Sequence, residues 1–313
     1  MDESIYSRFL NKARPAPEPA PHHEPLAEIE THLPVGYRPL GTKRLIVPAT
    51  SKGGVGKSYL TLNLCEWLRA QAVPFVAFDP DWCNSTLTRF YAEAEFIDIS
   101  EAVHLDNVIR AFERTDLVLT DGVGSLQSKF IDWLEETRVF DMREELSLDI
   151  TMLLIIEEDK ETVFQAGQAA QRVGDRANWL VVRNLKTSPV TEIYDNSNAR
   201  KLLLELGAKE ITIERLPWNL NSMIQKTSKS IGGLVEDESI FFLERQRMRS
   251  YQQRLFDEFT SARDFLLPGS IINLPKAPEP IPQSVIEEHA PEPVATTPRP
   301  APVSRPRVPP AEV

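Results

Sequence analysis

The chain has 313 residues, a formal charge of -11 and two cysteines. That length fits one large domain or two, and the negative charge opposes non-specific attraction to nucleic acid or anionic lipid unless a local basic patch overrides it. Cys65 and Cys83, with His22, His23, His32 and His289 in the terminal segments, support neither a disulfide framework nor a Cys/His metal site.

The chain opens MDESIYSRFL, which is acidic and unlike a secretory signal, and no apolar run approaches the length of a membrane span. A cytoplasmic protein without membrane attachment is expected. Of 25 prolines, 7 fall at or before Pro39 and 13 at or after Pro268. Residues 1–41 and 268–313 therefore read as disordered Pro-rich tails, too poor in large apolar residues to repay the entropy of ordering. Within the first tail, Ile5, Tyr6, Phe9 and Leu10 could share one helical face, as in a short docking peptide on a flexible tether.

Residues 42–267 form one expected domain. Six short apolar runs follow in order: 44–50, 74–79, 116–121, 149–156, 179–184 and 210–216. They lack strict polar alternation, which suits strands buried on both faces. Longer patterns between them, such as 58–70 and 160–173, are long enough for crossover helices. The expected fold class is α/β, a doubly wound, mostly parallel sheet with helices on both faces. A final helix is expected over 241–267, where Arg245, Arg247, Arg249 and Arg254 are offset by Glu244, Asp257, Glu258 and Asp264.

Chemistry in such a sheet collects at the carboxyl ends of the strands. There the sequence has Ser51-Lys52-Gly53-Gly54-Val55-Gly56-Lys57-Ser58 after the first strand, Asp79-Pro80-Asp81 after the second, Asp121-Gly122-Val123-Gly124 after the third and Asn184 after the fifth. Glycines Gly53, Gly54 and Gly56 can turn backbone N–H groups toward phosphate oxygens, and the following helix adds its positive end. Lys57 would reach the β- and γ-phosphates, and the Ser58 hydroxyl would be a Mg²⁺ ligand. The core's single histidine, His104, lies in an expected helix remote from these loops, so no nucleophile has an adjacent base. Catalysis would be positioning and charge stabilisation.

With Lys52 included, the loop K-G-G-x-G-K-S resembles the deviant Walker A loop of the ParA/MinD family of P-loop ATPases. That resemblance spans roughly residues 42–265 and implies ATP and Mg²⁺ as ligands, with Val55 and Tyr59 completing the nucleotide-binding loop. It implies that Lys52 crosses a face-to-face homodimer to the partner's phosphates, that Asp81 positions the attacking water, and that Asp79 and Asp121 stand near the magnesium. Gly124 would face the γ-phosphate, while Asn184 and Pro217, in L-P-W-N, would lie at the base. Three departures stand out: Tyr59 where the family has Thr or Ser, Pro48 in a central strand, and Gly122-Val123-Gly124 in place of a proline-bearing switch II.

The resemblance implies a slow ATPase whose ATP-bound dimer acts as a switch in DNA or plasmid partition or in cargo positioning, with a protein partner that stimulates hydrolysis and DNA as a candidate ligand. Two alternatives stay open. The stretch DPDWCNSTLTRFY and the substituted switch II also resemble accessory ATPases of plasmid conjugation or mobilisation. A nucleotide-regulated scaffold with little hydrolysis is the other.

Overall fold

The computed structural model describes residues 41–80, 86–99, 101–122 and 127–272; the Pro-rich terminal segments, Asp81 and Gly124 lie outside the described residues. Seven strands form one sheet: β1 (Lys43–Pro48), β2 (Val76–Asp79), β3 (Glu95–Phe96), β4 (Leu117–Thr120), β5 (Leu148–Ile156), β6 (Asn178–Asn184) and β7 (Lys209–Ile213). The order is β3-β2-β4-β1-β5-β6-β7 and every pairing is parallel. The six apolar runs correspond to β1, β2 and β4 to β7. The two-residue edge strand β3 carries no such run, so its pairing with β2 was invisible in the sequence.

The connecting helices are α1 (Lys57–Ala70), α2 (Thr86–Phe90), α3 (Ala102–Arg110), α4 (Gln127–Glu136), α5 (Arg143–Leu146), α6 (Lys160–Val173), α7 (Glu192–Asp195), α8 (Asn198–Glu205), α9 (Trp218–Thr227), α10 (Ile231–Glu236), α11 (Phe242–Ser261), α12 (Arg263–Leu266) and α13 (Gly269–Ile272). Helices α1, α2 and α9 to α13 pack on one face of the sheet, and α3 to α8 on the other. Strand β1 feeds both cores: Ile46 faces the first, and Leu45 and Val47 face the second. Each such fully buried aliphatic side chain contributes about 1.5–3 kcal/mol.

Pro48 is tolerated because of where it falls. Arg44 N donates to Asp116 O on the β4 side, and Ala49 N donates to Leu153 O on the β5 side. Alternation puts the Pro48 nitrogen toward β4, beyond the last paired residues Ile46 and Leu119.

The expected helix over 241–267 is broken: α11 stops at Ser261 and α12 follows. The break turns carbonyls toward Arg44, a fully buried residue of β1. Its Nε donates to Leu267 O (2.6 Å), one terminal nitrogen to Thr151 Oγ1 (2.7 Å) and Phe265 O (3.3 Å), and the other to Asp149 Oδ2 (3.2 Å) and Asp264 O (3.0 Å). All five guanidinium N–H groups are thereby used. Helical structure continues past Pro268, where Ser270 N donates to Thr42 O at 3.4 Å.

Candidate functional site

The loop leaves β1 between β4 and β5; the connection after β1 runs through α1 on one face and those after β4 and β5 through α4 to α6 on the other, so a crevice opens at the strand ends. Thr50 ties the loop to β5: its Oγ1 accepts from Ile155 N (2.8 Å) and donates to Ile155 O (3.3 Å). Gly54 and Gly56 have φ of 75° and 92°, a left-handed backbone that favours glycine. A Cβ on Gly56 would also come within 3.1 Å of Asn184 Nδ2. Between them the Val55 side chain is fully buried and anchors the loop, and Gly56 caps the N-terminus of α1. A Cβ on Gly53 would meet no neighbour, and its φ is not left-handed.

The two loop lysines lie in different settings. Lys57 is 6 % exposed, and its Nζ donates to Lys52 O at 2.5 Å. Burial pulls its pKa down, opposed by the charge of Asp121. The Lys52 side chain is partly exposed and turned to the start of α6, its Nζ 2.8 Å from Asp159 Oδ1 and 3.9 Å from Glu161 Oε2.

Asp121, at the end of β4, faces the start of α1. Burial pushes its pKa up to about 6, against hydrogen bonds from the Ser58 hydroxyl, Gly122 N and Thr61. Thr61 Oγ1 donates to Asp121 Oδ1 at 3.1 Å and Gly122 N donates at 2.7 Å. Asp79 is fully buried, and its Oδ2 accepts from Thr88 N (2.9 Å) and Thr88 Oγ1 (3.2 Å) at α2. Gly122 explains part of the substituted switch: a Cβ there would lie 2.5 Å from Lys57 Cδ and 2.9 Å from Pro48 Cβ. The left-handed glycines, the buried lysine and the Ser58–Asp121 pair fit a nucleoside triphosphate with its divalent cation.

At the other side, Asn184 holds the loop. Its Nδ2 donates to Val55 O (2.9 Å) and its Oδ1 accepts from Lys186 N (3.1 Å). Lys186 Nζ donates to Gly54 O at 2.7 Å. Pro217 precedes α9 beyond β7, the strand beside that of Asn184, since Leu185 N donates to Ile213 O at 2.9 Å. Tyr59 directs its hydroxyl to α11: it donates to Tyr251 Oη (3.0 Å), which donates to Glu214 O (3.0 Å). A contribution of Tyr59 to phosphate binding therefore falls to its backbone.

Sequence reading missed Thr61, Asp159, Gln165 and Lys186. Thr61 stands three residues after Ser58, one helical turn on, and Asp159 heads a helix as an N-cap, so both left a trace. Lys186 and Gln165 left none, because nothing local marks which exposed polar residue meets a distant loop.

No protein-family model matches the chain, and no curated protein matches it. Among solved structures it is similar to the MinD cell division protein of Aquifex aeolicus, at 17% identity and TM-score 0.42, covering 69% of this chain and 97% of that one. It is also similar to a plasmid partition protein from Borrelia burgdorferi, at 13% identity and TM-score 0.40, covering 71% and 99%. A third is a nucleotide-binding protein from Archaeoglobus fulgidus in complex with ADP, at 14% identity and TM-score 0.36, covering 58% and 85%.

Proposed function

We propose that this chain is a ParA/MinD-like ATPase that binds ATP, pairs face to face with a second copy and hydrolyses ATP slowly, so that nucleotide times the life of the dimer. The observation that carries this reading is the unequal placement of the two lysines. Lys57 is buried within the glycine loop beside Asp121, whereas the Lys52 side chain is 26% exposed and turned to the start of α6. A single site needs one lysine inside; the more exposed one suits phosphates presented by a partner.

In this reading the N–H groups of Gly53 to Tyr59 bind the phosphates, and Lys57 balances charge at the β- and γ-oxygens. Magnesium, when bound, would neutralise developing phosphate charge, with Ser58, Asp79 and Asp121 as the residues that would hold it. Asp81 orients the attacking water, Gly124 faces the γ-phosphate, and Asn184 and Pro217 flank the base. Water adds to the γ-phosphorus and the bond to the β-phosphate oxygen breaks, giving ADP and phosphate.

The dimer would serve plasmid partition or cargo positioning in the cytoplasm, with a protein partner that stimulates hydrolysis. An accessory role in conjugation is the second reading. It draws on the stretch DPDWCNSTLTRFY and the substituted switch II, while on α11 the pairing of Arg254 with Glu214 at 3.0 Å weakens a purely basic DNA-binding face. ATP-dependent retention of the isolated protein on DNA favours partition; tight binding to a relaxase without it favours conjugation.

The central test is Lys52→Ala, followed by sedimentation velocity and phosphate release with ATP and Mg²⁺. It should bind ATP much as the parent does but lose dimerisation and turnover. Dimerisation equal to the parent's would remove the trans role, and a parent dimer that persists without phosphate release would favour the scaffold.

A further inference from the structure

The backbone N–H groups of Ser51 and Lys52 both point at one atom. Gln165 Oε1, in the second turn of α6, accepts from Ser51 N and from Lys52 N, each at 3.0 Å. Successive N–H groups converging in this way form a concavity of the kind that binds anions. Here a neutral amide oxygen of the same chain fills it.

The amide is itself held in orientation, because Gln165 Nε2 donates to Glu161 Oε1 at 3.2 Å. Glu161 and Asp159 also face the Lys52 ammonium, at 3.9 and 2.8 Å. Helix α6 thus touches the leading end of the loop twice, at the Lys52 backbone through Gln165 and at the Lys52 side chain through Asp159.

Those two contacts differ in what they permit. The ion pair engages a flexible four-carbon side chain, which can leave Asp159 by rotating its own bonds. The Gln165 contact engages main chain, which then stays in place while the side chain turns. The trailing half of the loop, Gly54 to Ser58, has supports of its own in Asn184, Lys186 and α1, and it meets the leading part where Lys57 Nζ donates to Lys52 O.

We infer that Gln165 is a positioning residue that fixes the backbone pivot of Lys52, so that its side chain can exchange between Asp159 in its own subunit and phosphate bound by a second copy. This inference rests on the proposed trans role of Lys52. It gives the leading part of the loop, used in dimerisation, its support from α6, whereas the nucleotide-binding part has its own supports in Asn184, Lys186 and α1. Gln165 acts through Lys52 and touches no reacting atom.

The test is Gln165→Met, which keeps an unbranched side chain and removes the acceptor. Amide hydrogen exchange at Ser51 and Lys52 should quicken by about tenfold, the effect of losing about one net hydrogen bond, while Gly54 to Ser58 exchange as in the parent. ATP affinity of the monomer should stay within about twofold, and ATP-dependent dimerisation should weaken by about tenfold. A residue that merely supported the fold would lower nucleotide affinity and dimerisation together, and that parallel loss would overturn the inference. Unchanged exchange at Ser51 and Lys52 would also overturn it. If the parent protein does not dimerise with ATP, the trans reading fails and takes the pivot's purpose with it. The exchange measurement still reports separately whether Gln165 holds this backbone.

Discussion

Asp159 Oδ1 serves three donors at once: it lies 2.8 Å from the Lys52 ammonium and caps α6 by accepting from Glu161 N (2.9 Å) and Thr162 N (3.2 Å). The carboxylate is held below its usual range, first by the Lys52 hydrogen bond, and the Lys52 pKa is raised in turn. A depressed acid contributes above its unfolded pKa and loses that contribution as pH falls through the folded one. The pair therefore persists at neutral pH, and opens in acid as Asp159 takes up a proton and in strong alkali as Lys52 loses one.

Asp159→Asn keeps an equally good N-cap and removes the charge that holds Lys52 in its own subunit. Because the pair is partly exposed, the effect is modest: ATP-dependent dimerisation should tighten by about two- to fivefold, with the melting temperature lowered by at most a few degrees. Weaker dimerisation on sedimentation would mean that Asp159 does not compete for Lys52.

Lys57→Ala removes the buried ammonium from the loop; the loop's other cations are engaged elsewhere, Lys52 on Asp159 and Lys186 on Gly54 O. ATP affinity measured by titration calorimetry should fall by about a hundredfold or more, the scale of charge-assisted hydrogen bonds to phosphate. Near-parent affinity would refute the phosphate-loop assignment.

Asp81→Ala separates binding from chemistry, since it leaves the glycine loop, both lysines and Ser58 intact. It should bind ATP and give a dimer that persists for hours on size exclusion, with little phosphate release. Turnover at the parent rate would show that another group orients the water.

Gly122→Ala puts a Cβ 2.5 Å from Lys57 Cδ and 2.9 Å from Pro48 Cβ. Lys57 Cδ can yield, but the proline ring cannot, so the variant should lose about 1–3 kcal/mol of stability by denaturant titration. Displacement of Lys57 should also lower ATP affinity by about tenfold. A variant that matches the parent in both would mean the strand ends are looser than this packing implies.

Arg44→Met tests the far end of the sheet. It strips Asp149 of a buried partner and leaves three carbonyls of residues 264–267 without their Arg44 donors. Removing one partner of a buried charge pair costs about 3–5 kcal/mol. Nucleotide affinity of the folded fraction should be unchanged, because the site sits at the opposite ends of the strands.

Local pattern was enough to read the six main strands, the parallel order of strand and helix, and the glycine loop with its two lysines. Buried parallel strands must be apolar throughout, and a phosphate cradle must be rich in glycine, so neighbouring residues carry those signals. What the sequence could not disclose were meetings between distant residues. Gln165 reaches Ser51 across 114 positions and Arg44 reaches Leu267 across 223. Tyr59 looked like a lost phosphate ligand until its hydroxyl was seen against Tyr251, 192 residues away. Only tertiary packing could decide these, because a side chain's propensity is set by its neighbours in sequence, whereas its hydrogen-bond partner is set by which elements the sheet order brings side by side.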